Sequence, residues 1–266
     1  MFSCLSAGDS GRRGVLFLLI DEQQTGAMRV LPPYAFVATC ERFSEDGAAK
    51  AAILRNALRH LKYPEGVNLV DVFAAHPDYE RVPIFKDGSP PGAIVEIAST
   101  IPEELSRWLA TGALQNVLDR CCGADVWVAG MYNIARHTVL GDETVCERTA
   151  PTSLVVRYYP PVADAWHFAE HYIACHPPIL ARLPRIRNVL CYVPHIESAP
   201  GFARDALIIR NEVVFTSVDD LTFALQSSVL ADLRADSQAF PPFGHSTHHA
   251  MMREQVFRCA PAECAG

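Results

Sequence analysis

The stretch His167-Phe-Ala-Glu-His-Tyr-Ile-Ala-Cys-His-Pro-Pro178 carries three histidines and a glutamate in one short run. Its first part, His167-x-x-Glu170-His171, matches the inverted zinc-protease pattern, in which two imidazoles hold the metal and the carboxylate activates water. A helix advances about 100° per residue. On that wheel Trp166, Phe168, Ala169, Tyr172, Ile173, Cys175 and His176 share one arc, while His167, Glu170 and His171 lie opposite. The motif then faces water and lacks a third ligand beyond Glu212 or Glu254, so it reads as a polar helix face and no metal is expected. His176 falls within the apolar arc, just before Pro177-Pro178, where the helix is expected to loosen. An imidazole aimed at a sheet, with Phe168, Tyr172, Ile179 and Leu180 around it, would be held neutral, as a general base requires. A core histidine bonded to a backbone carbonyl would read the same way.

Working outward, the helix spanning 163–176 belongs to a plan that occurs twice. YAFVATC from Tyr34 reads as a strand, Ser44-Glu-Asp-Gly as a helix start, and the helix runs to Leu61. Strands follow at 68–76 and 92–100, a helix at 101–118 opened by Pro102 and two glutamates, and a strand at 124–132. The second half gives a strand at 153–159, the quoted helix, strands at 188–195 and 206–215, a helix at 217–233 opened by Ser217, and a strand at 247–257. Landmarks keep a nearly constant offset: Tyr63-Pro64 against Leu183-Pro184, His76 against His195, Glu103-Glu104 against Asp219-Asp220. The order β-α-β-β-α-β is that of the ferredoxin-like split motif. The expected fold class is therefore α+β: two ferredoxin-like repeats, residues 31–149 and 150–266, behind an N-terminal segment 1–30, together closing an intrachain barrel.

The whole-chain properties fit a globular protein. Of 266 residues half are hydrophobic and 20% charged, and the net charge is −7, with no basic block, so nucleic acid is not an expected partner. Arg12-Arg13 precede the apolar run Val15–Ile20, but Asp21-Glu22 end it far short of the roughly 20 residues a membrane span needs. It reads as a buried strand, and no membrane association is expected. Nine cysteines at irregular spacing, without a C-x-x-C pair, suggest free thiols in a reducing cytoplasm. Cys121-Cys122, at a helix end, reads as packing. No G-x-G-x-x-G, P-loop or G-x-S-x-G is present.

Residues 154–225 also resemble the EthD-like members of the dimeric α+β barrel superfamily. The resemblance rests on Phe168, Tyr172, His176 and Pro178 near a helix end, then Leu183-Pro184, with Arg185 where the family has glycine. It continues in Val214-Phe215-Thr216-Ser217 through Phe223, and in Gly244–His249 and Arg253–Phe257 of the last strand. It implies a pocket between a sheet and its own helices, a small-molecule ligand, and His176 as the catalytic residue. Phe168 and Tyr172 would line the pocket. Arg157 and Tyr158 on the first strand of the second half could hold an anionic group and donate a proton, though a core-closing tyrosine is the commoner use. His248 and His249 point to opposite faces of the last strand, so one could join His176. Asp205 and Glu212, flanking a strand, are expected to reach solvent. Asn56 or Ala57 stands where His176 would lie in the first half, so only one site is expected.

Three readings follow. The first is an EthD-like binding protein or cofactor-independent enzyme that uses His176 for proton transfer on a small apolar or aromatic substrate. The second is a non-catalytic accessory or ligand-binding protein. The third is a haem-binding barrel with His176 as axial ligand. No cofactor is expected under the first two, and any of the three is compatible with a homodimer.

Overall fold

A computed structural model describes residues 34–42, 47–84, 88–123, 125–137, 150–195 and 198–258. The expected segment 1–30, with its strand at Val15–Ile20, and the Ser44 cap lie outside the described residues. The first half comprises β1 (Tyr34–Cys40), α1 (Gly47–Arg59), β2 (Val67–Ala75), β3 (Ala93–Ser99), α2 (Pro102–Ala110), α3 (Ala113–Cys122) and β4 (Trp127–His137). The second comprises β5 (Thr152–Tyr159), α4 (Ala165–Leu180), β6 (Ile186–Pro194), β7 (Ala203–Arg204), β8 (Ile209–Phe215), α5 (Val218–Ala224), α6 (Val229–Ser237) and β9 (His245–Arg258).

Eight strands close into an antiparallel barrel in the order β1-β3-β2-β9-β5-β8-β6-β4, with β4 pairing back onto β1. The two-residue β7 adds to β4 in parallel. Among the described residues, closure leaves no long unpaired edge, the usual liability of a sheet. The four strands of each half stand in the same order, β4-β1-β3-β2 and β9-β5-β8-β6, and the halves join through β2–β9 and β4–β6.

Side chains alternate between the two faces of each strand. On β3, Ala93, Val95 and Ile97 join Leu54, Leu58, Leu105 and Leu118 in an apolar layer beneath the first-half helices. On β8, Ile209, Val213 and Phe215 join Phe168, Tyr172, Leu180 and Leu221 in the corresponding layer of the second half. The inward residues of the same strands include Glu96, Arg210 and Glu212, all buried.

Local chemistry sets the helix boundaries. The Asp164 carboxylate accepts the amides of Trp166 and His167 at 2.9 and 3.0 Å, and Ser217 Oγ accepts the amide of Asp220 at 3.2 Å. The helix expected over 101–118 is two helices, because Gly112 takes φ 74°, a left-handed conformation that glycine adopts without steric cost. The helix expected over 217–233 also divides, at residues 225–228. The expected loosening before Pro177 does not occur: α4 runs through both prolines to Leu180. Each removes an amide that would have donated to the carbonyl four residues back, and beyond them Ala181 N donates to Pro177 O at 2.9 Å. Arg185, where the family motif has glycine, takes φ 62°. Its guanidinium is held by Asp220 at 3.1 Å and lies 4.1 Å over the Phe223 ring.

Candidate functional site

Phe168, Tyr172 and His176 lie four residues apart, so α4 stacks them in one stripe against the sheet. Tyr158 rises from β5 on the same outward face, and Phe240 and Phe243 close the cluster from the loop after α6. The Tyr158 ring lies 5.6 Å from Phe168 and 5.1 Å from Tyr172. The Tyr172 and Phe240 rings are centred 5.0 and 5.1 Å from the imidazole of His176 and 5.4 Å from each other. Trp166, placed on the apolar arc by the wheel, is instead 43% exposed, since it lies in the first turn beside the cap.

His176 is buried, and its Nδ1 lies 2.8 Å from Asp236 Oδ2. A carboxylate can only accept, so in the neutral ring Nδ1 carries the hydrogen and Nε2 keeps the lone pair. Nε2 has no hydrogen-bond partner among the described residues. The partner is thus a carboxylate on α6 rather than a backbone carbonyl. Tyr158 and Tyr172 hydrogen-bond to each other, and burial pushes both phenols well above their usual range. They stay protonated, able to donate hydrogen bonds but poor proton sources. Burial likewise pushes the Cys191 thiol up to about 12.

Several sequence expectations are corrected here. Arg157 does not face His176: alternation turns it into the barrel, where Glu41 grips it at 2.5 and 3.2 Å. His249, whose ladder partner is Val155, shares that inner face, with its ring 6.1 Å from Tyr79. The sheet therefore separates it from His176. His248 pairs with Val156 on the outward face and is half-buried. Asp205 and Glu212 do not reach solvent. Glu212 is fully buried, accepts from Ser153 Oγ at 2.7 Å and Tyr192 OH at 2.9 Å, and is ion-paired with Arg253. Asp205 accepts from Tyr132 OH at 3.3 Å, and burial raises its carboxyl despite the pull of Arg157. Their charge suggested water, but a closed barrel provides an interior in which charges can pair.

His167 and Glu170 are exposed, and His171 is half-buried with its ring 6.2 Å from Phe240. Cys122 packs in the first-half layer at the end of α3. In the first half, Ala51, Leu54 and Leu58 form the buried stripe of α1, matching the spacing of Ala169, Tyr172 and His176. On that spacing Leu58 stands in α1 where α4 carries His176, whereas Asn56 is exposed. Asp236 was missed because nothing in a short acidic helix says which carboxylate turns inward. Phe240 and Phe243 had a signal, an aromatic pair bracketing Pro241-Pro242 in a loop.

No family model matches the sequence, and no curated protein matches it. Among solved structures, an anthrone oxidase-like protein is similar at TM-score 0.58 and 12% identity, over 84% of this chain and 93% of that one. A candidate monooxygenase from Fusobacterium nucleatum gives 0.52 and 9%, over 87% and 98%. A candidate monooxygenase from Lactobacillus acidophilus gives 0.51 and 8%, over 86% and 97%. The likeness is one of fold: an α+β chain whose eight antiparallel strands close into a barrel. No helix among the described residues is long and apolar enough to cross a membrane.

Proposed function

We propose that the chain is an EthD-like, cofactor-independent protein that binds a small apolar or aromatic molecule beside the ring cluster of its second half and transfers a proton through His176. The observation that carries this reading is the 2.8 Å contact of Nδ1 with Asp236, which orients the ring and leaves the Nε2 lone pair without a partner among the described residues. Nε2 would remove a proton from an acidic C–H or O–H of the bound molecule, and the Asp236 carboxylate would stabilise the resulting imidazolium. Phe168, Tyr172, Tyr158 and Phe240 would supply the apolar wall, with the phenols as hydrogen-bond donors.

The two halves are read as copies of one unit, residues 31–149 and 150–266. The repeated strand order supports this, and Leu58 opposite His176 leaves the first copy without the base. A haem on His176 is not favoured by the packing, since the imidazole is only 8% exposed and the Tyr172 and Phe240 rings are centred 5.0 and 5.1 Å from it.

Anthrone is the first probe, because its benzylic C–H is acidic and its enolate reacts with oxygen; one anthrone and one dioxygen give anthraquinone and water. The expected result is oxygen uptake that falls about 10²–10⁴-fold in His176→Ala. Unchanged turnover in that variant would remove His176 from the chemistry. A second reading, binding without turnover, is favoured by the close packing of the cluster around an imidazole only 8% exposed. It predicts saturable binding of anthrone with no oxygen uptake.

A further inference from the structure

The inner face of the barrel carries a group that the helix-side site does not use. Arg210 of β8 is 1% exposed and shares a ladder row with Arg157 and Tyr192. Its guanidinium lies 4.6 Å over the Tyr192 ring and 5.2 Å over that of Phe73, which reaches it from β2 across the barrel. Nε, Nη1 and Nη2 are all buried, and none has a hydrogen-bond acceptor among the described residues. Arginine stays charged when buried, and buried N–H donors are normally satisfied, so three orphan nitrogens on one fork call for a ligand.

The nearby carboxylates are already engaged. Glu212 accepts from Ser153 and is ion-paired with Arg253; the single Tyr192 hydroxyl lies 2.9 Å from both Glu96 and Glu212; Asp71, on the same inner face, lies 3.5 Å from Arg253 Nε; Glu41 holds Arg157; and Asp205 accepts from Tyr132. The two rings offer the guanidinium cation–π contact but no acceptor for its N–H edge, the part that recognises planar or spherical anions. We infer that the barrel interior is an anion site, with Arg210 as its receptor and the Tyr192 and Phe73 rings packed beside the guanidinium. The ligand is a small anion: a free halide, or the carboxylate of a small organic acid. The site lies on the opposite face of the sheet from Tyr158 and His176, so it stands or falls independently of the proton-transfer reading.

The test uses the full chain and two variants, Arg210→Met, which keeps the volume, and Arg210→Lys, which keeps the charge but not the fork. Melting midpoints are measured in sodium chloride and in sodium acetate against a bulky sulfonate at constant ionic strength. The wild type is expected to gain several degrees from chloride or acetate through mass action, Arg210→Lys less, and Arg210→Met none. Crystals grown in bromide should show an anomalous peak at the Arg210 fork if the ligand is a free halide. Native mass spectrometry showing a retained organic acid, lost in Arg210→Met, identifies the carboxylate source instead. Midpoints that respond to the anions equally in wild type and Arg210→Met, or density showing only water on the fork, would overturn the inference.

Discussion

Uncoupling His176 from Asp236 tests the arrangement on which the proposed chemistry rests. The two side chains are 8% and 13% exposed, so their 2.8 Å contact is little screened by solvent. Asp236→Leu would leave Nδ1 without an acceptor among Tyr172 and Phe240, at a cost of about 1.5–3 kcal/mol. His176→Phe would place an apolar ring where two rings already flank the site, but would strand the Asp236 carboxylate, at a similar cost. In the double variant neither polar group remains, so the losses should not add; a coupling of about 1–3 kcal/mol is expected. Urea denaturation read at constant slope gives the four stabilities, and each kcal/mol corresponds to about 2–4 °C in melting temperature for a chain of this size. Losses that add to within about 0.5 kcal/mol would mean that the two residues do not interact. The assignment of the lone pair to Nε2 would then have no support.

Two further outcomes follow from local geometry. Arg185→Gly should be nearly neutral, because relief of a left-handed φ worth about 1–2 kcal/mol offsets the lost Asp220 and Phe223 contacts. Arg185→Ala keeps the strained backbone without those contacts and should lose about 1 kcal/mol; a larger loss in the glycine variant would refute this reasoning. Burial raises the thiols of Cys122 and Cys191 from 9.0 to about 12. The folded chain therefore holds these protons more tightly than the unfolded one. That contribution is complete below about pH 9 and is lost progressively as pH rises toward 12. Melting curves from pH 8 upward should fall monotonically, and a disulfide reagent at pH 8 should label both thiols only in denaturant. Rapid labelling of native Cys191 would contradict its burial.

Strand positions were legible because alternation and turn residues are local: Tyr34–Cys40, Thr152–Tyr159 and the final strand fall close to where their patterns put them. The helix cap at Ser217 could be read for the same reason, since a cap joins residues within one turn. Helix continuity was harder. Gly112 ends a helix because of one backbone angle, whereas Pro177-Pro178 do not end theirs although each removes an amide donor. The inward placement of His176 came from helical periodicity, which a single element carries.

The sequence by itself determined the alternation of strands and helices, the repeated order of elements, and the stripe of Phe168, Tyr172 and His176. These depend on periods of two and 3.6 residues along a continuous chain. Only the tertiary structure decided that Asp236 meets His176, that Arg157 and His249 turn away from it, and that Glu212 and Arg210 lie inside a closed barrel. Those outcomes depend on which face of each strand closure turns inward, and on contacts between residues 60 or more positions apart, which no local pattern encodes.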